Sequence, residues 1–306
     1  MKNYNIVHKN RIIAIIAFLI PLIGIFAEFS IGSSPWVRLF SSAHLSFLDI
    51  ERSGILNVIF YGLMLLGALF YVFNKFKKTG LIRLCFSVII LNRILYFIAI
   101  IIIMQVKPLL FQSRLGGKSL LFFLCCFISL LVYGGLSLIC LKWLNAAKKT
   151  EKNNESVTDK LIYEEAPLSV RFFHHIIDLF LCVSLFYPLF SIHGSTFYYI
   201  TQKFPFLASE KGFESLYLLY ALFFSRFLYY IFFEGTYNAT PAKFLTETVV
   251  IKKEGPVTIK TIILRTMIRF VPFEPFSFLG HGRWHEHWSS TLVVREQENE
   301  EVMFQT

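Results

Sequence analysis

Charge is sparse in this sequence. Only 16% of its 306 residues are Asp, Glu, Lys or Arg, against 55% hydrophobic residues and 35 Phe. With a mean hydropathy of +0.59, too few polar side chains remain to cover a water-soluble domain. Cysteine is scarce as well. The five residues Cys85, Cys125, Cys126, Cys140 and Cys182 all lie in apolar stretches and make no C-x-x-C pair, so neither a disulfide framework nor a zinc site is indicated. The sequence also lacks a nucleophile elbow, a Walker loop, a G-x-G-x-x-G and an H-E-x-x-H; Gly116-Gly117-Lys118 is only a fragment of a phosphate loop. No enzyme, no catalytic residue and no cofactor is therefore expected. Acidic residues are outnumbered 20 to 30, for a net charge of +10. In a soluble chain that surplus would suggest nucleic acid. In a membrane chain it reflects the accumulation of Lys and Arg in cytoplasmic loops, so no nucleic-acid partner is expected.

What the chain does have is apolar length. A bilayer is crossed by about 20 apolar residues as a helix. Stretches of that kind lie at 12–29, 54–74, 81–104, 119–141, 170–192 and 216–233. The first contains Pro21 and is followed by no small-x-small cleavage site, so it reads as an uncleaved span. Arg93 stands near the middle of the third, and Gly134-Gly135 in the fourth suit close helix approach. Residues 34–52 read as a segment lying in the interface, 107–118 as a polar loop, and 193–215 as a loop with Gly194, Lys203 and Pro205. The strongly polar stretch 142–167 reads as a linker between modules. With the N-terminus inside, basic residues concentrate in the inner segments and the tail, which places both termini in the cytoplasm. The expected class is an all-α polytopic membrane protein of about six transmembrane helices with a small cytoplasmic C-terminal tail.

Charges inside those spans are the candidate functional residues. Arg171 opens the fifth span and Asp178 lies seven residues further, on nearly the same helical face and about 10 Å along the axis. A buried aspartate at that depth costs about 3 kcal/mol unless it is partnered or faces water. His174, four residues before Asp178, can hydrogen-bond to it or pass a proton. Glu234 closes the sixth span and Arg226 lies eight residues inside it. Equal depth predicts the pairs Asp178–Arg226 and Arg171–Glu234, with Arg93 as a competing partner for Asp178. In the tail, 234–243 reads as turn chemistry and 246–253 as a strand turning at Glu254-Gly255 into 257–259, a small hairpin. Residues 261–270 read as an interfacial helix with Arg265 and Arg269 toward phosphates or an acidic partner, stopped by Pro272 and Pro275. A re-entrant segment through Leu279 is the alternative. His281, His285, Glu286 and His287 cluster in sequence, but Gly282 and the adjoining aromatics indicate a loop, and no metal is expected.

These residues occur in a familiar order. Arg171 and Asp178, then Phe233-Glu234-Gly235 and Thr240-Pro241-Ala242-Lys243, are followed by Val249-Val250-Ile251, Glu254-Gly255 and the stretch from Arg265 through Arg269 to Phe276. Trp284-His285-Glu286-His287-Trp288 and the residues to Val294 close the set. The ordered set, over about 163–294, resembles the RDD family of bacterial integral membrane proteins. Two departures are Ala242, where the family usually has glycine, and Glu286, where it usually has aspartate. The resemblance implies a bacterial cytoplasmic membrane and divides the chain into a four-span module at 1–145, a linker at 146–166, an RDD-like membrane domain at 167–294 and a polar tail at 295–306. Some members exchange sodium or other monovalent cations for protons, so the resemblance implies such an exchange, or transport of another small solute. The alternative is a non-transporting scaffold or assembly factor with a basic cytoplasmic docking surface. Expected partners are the lipid bilayer, anionic lipid at the cytoplasmic face and a second copy of the chain in a homo-oligomer.

Overall fold

Within hydrocarbon a backbone must satisfy its own hydrogen bonds, so apolar stretches of this length fold as helices. The computed structural model of the chain describes residues 2–29, 54–106, 119–155, 165–203, 213–253, 255–271 and 284–295. The interfacial segment expected at 34–52, the loop at 107–118, Pro272, Pro275, His281 and the tail beyond 295 lie outside the described residues. The chain is mostly helical, and among the described residues four helices are long and apolar enough to cross a membrane, with apolar windows at His8–Phe26, Gly80–Ile102, Leu120–Ala146 and Leu168–Phe186. The chain divides into two compact units, residues 1–154 with 181–225, and residues 155–180 with 226–306.

The first unit contains α1 (Lys2–Phe29), α2 (Gly54–Phe73), α3 (Gly80–Val106), α4 (Ser119–Ser129), a π-helical turn (Leu130–Gly134) and α5 (Gly135–Glu155). α1 packs on α2, α2 on α3, and α3 on the π turn. The first of these contacts requires glycine, because a Cβ at Gly24 would collide with the ring of Tyr61. Gly134 and Gly135 are not required in the same way: a Cβ on Gly134 would stand in ordinary contact 3.9 Å from the Cβ of Arg93, and one on Gly135 would meet nothing within 4 Å. Arg93 is buried and donates to Asn92 Oδ1 at 2.8 Å and to Ser129 Oγ at 3.1 Å. Its guanidinium also lies 5.3 Å from the centre of the Tyr96 ring. α5 continues to Glu155, so the first part of the polar stretch expected as linker is helical.

Two helices contribute to both units: α6 (Leu168–Lys203) and α7 (Phe213–Tyr237). α6 runs on through Gly194 to Lys203, where a loop was expected. The second unit takes the start of α6 and the end of α7. It adds α8 (Pro241–Leu245), β1 (Thr248–Lys252), α9 (Ile259–Ile268), α10 (Trp284–Trp288) and β2 (Thr291–Arg295). α7 ends at Asn238, whose left-handed φ of 54° turns the chain while its N–H donates to the Glu234 carbonyl at 2.9 Å. The Asn238 carbonyl then accepts from Val250 N–H at 2.8 Å, which seats β1 against the helix end.

The hairpin expected within 246–259 does not form. β1 pairs antiparallel with β2, in a register running from Thr248↔Arg295 to Lys252↔Thr291. Thr258 belongs to the next helix, whose first turn it caps by accepting from Thr261 N–H. The competing partner wins because β2 also bridges to Glu165, giving the chain just before α6 a third edge of the same small core, Ala166, Val250 and Val293.

Candidate functional site

The site grows from the first turns of α6. Arg171, His174 and Asp178 follow helical spacing and are buried, while Phe172, Phe173, Ile176, Leu179 and Phe180 between them are exposed. A helix with its charged face inward and its aromatic face outward is sorted for a lipid surround. Each of the three polar residues then meets a different element of the same unit.

Arg171 uses four of its five N–H groups. Its Nε donates to the Ala166 carbonyl at 2.7 Å and its Nη1 to Glu286 Oε2 at 2.5 Å. Its Nη2 reaches Glu165 Oε2 and the Val293 carbonyl, both at 3.4 Å. Glu286 sits on the single turn of α10, flanked by Trp284 and Trp288, whose rings stack with centroids 6.1 Å apart. The expected Arg171–Glu234 pair is therefore replaced by Arg171–Glu286. Glutamate in place of aspartate at 286 keeps the charge that Arg171 needs.

Glu234 is fully buried and collects cations from the C-terminal segment. Lys243 Nζ donates to its Oε1, Arg269 donates at 2.7 and 3.2 Å, and Arg265 Nε lies 3.4 Å from Oε2. Arg269, Lys243 and Arg265 together offset the cost of burying this carboxylate. Burial also pushes the Lys243 ammonium down to about 8 despite the opposing attraction of Glu234. Arg265 additionally donates to Thr291 Oγ1 at 2.5 Å, and the Arg269 guanidinium stacks 3.9 Å from the centre of the Tyr230 ring. The two arginines expected to face headgroup phosphates instead turn inward. Their acidic partner is a glutamate of the same chain.

Asp178 is held differently. The Tyr229 hydroxyl donates to its Oδ1 at 2.8 Å and the Ala242 N–H at 3.4 Å, and the Thr240 hydroxyl also reaches it. Thr240 caps α8 through Lys243 N–H, which fixes the turn that aims Ala242 N–H at the carboxylate. Ala242 does not have a positive φ, so the glycine usual at this position is not needed for backbone conformation here. The expected Asp178–Arg226 pair is absent. Arg226 lies 3.4 Å from His175 Nδ1 and between the rings of Tyr230 and Phe270. His174 does not turn to Asp178 but to Thr246 Oγ1, at 2.5 Å, and Thr248 Oγ1, at 3.4 Å. Arg93 belongs to the other unit. His285 lies within α10, its side chain outside the described residues, and His287 is exposed.

A cavity of ≈ 30 Å³, room for about one or two waters, opens among these groups; Arg171, His174, His175, Asp178, Lys243 and Glu286 contribute to its wall. Sequence reasoning missed Tyr229, Thr246, Thr248 and Thr291, none of which carries a local signal. It did single out Glu286, whose place in the ordered motif could have paired it with Arg171.

Residues 165–288 match the model of the RDD family, and this stretch holds nearly every group of the site. No curated protein and no solved structure matches the chain.

Proposed function

We propose, on the premise that residues 165–288 belong to the RDD family and that the chain is embedded in a membrane, that this protein exchanges a small monovalent cation for protons, with Asp178 as the group that gains and loses the proton. In this reading the chain crosses the bacterial cytoplasmic membrane six times, with α2 and α7 joining the four apolar helices, and both termini are cytoplasmic. The excess of Lys and Arg in the segments so placed inside supports that orientation.

One observation carries the reading. Among the described residues of this unit three carboxylates are buried, of which Asp178 and Glu286 line the cavity; two of the three are locked to guanidinium or ammonium groups, Glu286 to Arg171, and Glu234 to Lys243, Arg265 and Arg269. Asp178 has only neutral donors, the Tyr229 hydroxyl, the Ala242 N–H and the Thr240 hydroxyl. Its protonation breaks no ion pair, and the phenol of Tyr229 can accept a proton's hydrogen bond as well as donate one. A carboxylate kept this way beside a cavity of water size suits a reversible proton site. The scaffold reading drew on a basic docking face at Arg265 and Arg269, and both side chains are committed to Glu234. No enzymatic step enters the proposal.

The test is flux in proteoliposomes carrying the full chain, with an internal pH dye and an imposed sodium or potassium gradient. Proton movement driven by one of the cations, abolished by Asp178→Asn and partly kept by Asp178→Glu, is expected. Proton movement under neither cation, or flux that survives Asp178→Asn, overturns the proposal.

A further inference from the structure

We infer that α9 and the turn after it descend from the cytoplasmic edge into the bilayer beside the end of α7 and present their outer face to lipid acyl chains. The inference rests on the membrane embedding of the chain and is independent of ion exchange.

The first observation is an inverted polarity. Around α9, Ile259, Ile263, Leu264 and Met267 are exposed, whereas Thr261, Arg265, Thr266 and Arg269 are buried. At helical pitch the exposed set covers one continuous arc and the arginines lie opposite it. A helix resting on the cytoplasmic side of the protein, or floating in the interface, would show the reverse, with its arginines toward water and headgroups. Apolar residues outward and charges inward is the sorting that hydrocarbon imposes, and α6 of the same unit obeys it with Phe172, Phe173, Ile176 and Phe180 exposed.

The second observation is depth. At its start, Ile259 Cδ1 lies 3.5 Å from where a Cβ on Gly235 would be, next to Glu234 at the end of the sixth span. Further along, Arg269 stacks on Tyr230, and Phe270 meets Arg226 with 5.7 Å from guanidinium to ring centre. Arg265 and Arg269 both reach Glu234 beside Gly235, while the Tyr230 and Arg226 contacts are made at Arg269 and Phe270, so the end of α9 and the turn after it lie nearer to Arg226 than its start does. Nine residues of α7 correspond to about 13 Å of depth. The exposed Lys260 falls at the shallow end, where an ammonium reaches the headgroups, and Met267 falls at the deep end. Glu234 makes the descent tolerable for two arginines.

Photolabelling of the wild-type chain tests this without substitutions. The protein is placed in vesicles of phosphatidylethanolamine and phosphatidylglycerol containing a phospholipid with a diazirine at either a shallow or a deep acyl carbon, and adducts are mapped by mass spectrometry. Ile259, Ile263, Leu264 and Met267 are expected to be labelled, with the deep-to-shallow ratio rising severalfold from Ile259 to Met267. Phe172 and Phe180 on α6 serve as the depth scale within the same molecule. Equal ratios at Ile259 and Met267 would mean an in-plane helix and overturn the inference. Absence of adducts on 259–267 while α6 is labelled would also overturn it, whether the face is covered by a second copy or lies in water.

Discussion

Glu234→Gln removes one negative charge from a cluster that holds three positive ones. Lys243, Arg265 and Arg269 have side-chain exposures of 4%, 1% and 7%, so water screens their mutual repulsion poorly once the carboxylate is gone. Breaking a buried pair by deleting one partner costs about 3–5 kcal/mol, and here the deleted partner serves three. For a chain of this size each kcal/mol moves the midpoint by about 2 °C, so a loss of roughly 6–10 °C is expected. The assay is thermal unfolding in detergent at one fixed scan rate, because membrane proteins commonly unfold irreversibly. The decisive arm is the double variant. Lys243→Met alone leaves Glu234 with two arginines and should cost less than Glu234→Gln. Combined, the two substitutions relieve one repulsion, so their joint loss should fall short of the sum by at least about 1 kcal/mol. Losses that add, or a Glu234→Gln variant as stable as wild type, would refute the argument that this carboxylate organises the cluster.

Acid should act on the same centre. Protonating Glu234 would leave Lys243, Arg265 and Arg269 without their carboxylate, so on acidification the wild type should lose more stability in detergent melts than Glu234→Gln does. Lys243 gives the opposite limb: its folded value of about 8 lies below the unfolded one, so the wild-type midpoint should rise relative to Lys243→Met between about pH 8 and 10. Glu286→Gln keeps an acceptor for Arg171 but removes the charge, and should cost about 1–3 kcal/mol, whereas Glu286→Ala removes the acceptor as well, leaves only the exposed Glu165 as a carboxylate partner, and should cost more by chemical denaturation. In the other unit Gly24→Ala must displace the Tyr61 ring and should cost about 1–3 kcal/mol, while Gly62→Ala, with nothing within 4 Å of its Cβ, should be neutral or slightly stabilising.

The sequence alone determined the membrane character and the inner face of α6. Apolar run length and the spacing of Arg171, His174 and Asp178 are local properties, and a helix converts them directly into burial. It also marked Glu234, Lys243, Arg265, Arg269 and Glu286 as a set. What it could not determine was who pairs with whom. Depth counting joined Arg171 to Glu234 and Asp178 to Arg226, because it treated two helices as a closed system. The tertiary structure brings back the chain beyond α7, so Glu286 reaches Arg171 from 115 residues away and three cations arrive at Glu234 first. β1 likewise chose β2 over the nearer 257–259, a choice between equally suitable local patterns decided by the core around Ala166. The orientation of α9 was undetermined for a different reason. Amphipathicity shows that a helix has two faces, but which face points inward depends on whether the medium outside is water or hydrocarbon, and only the packing against α7 decides that.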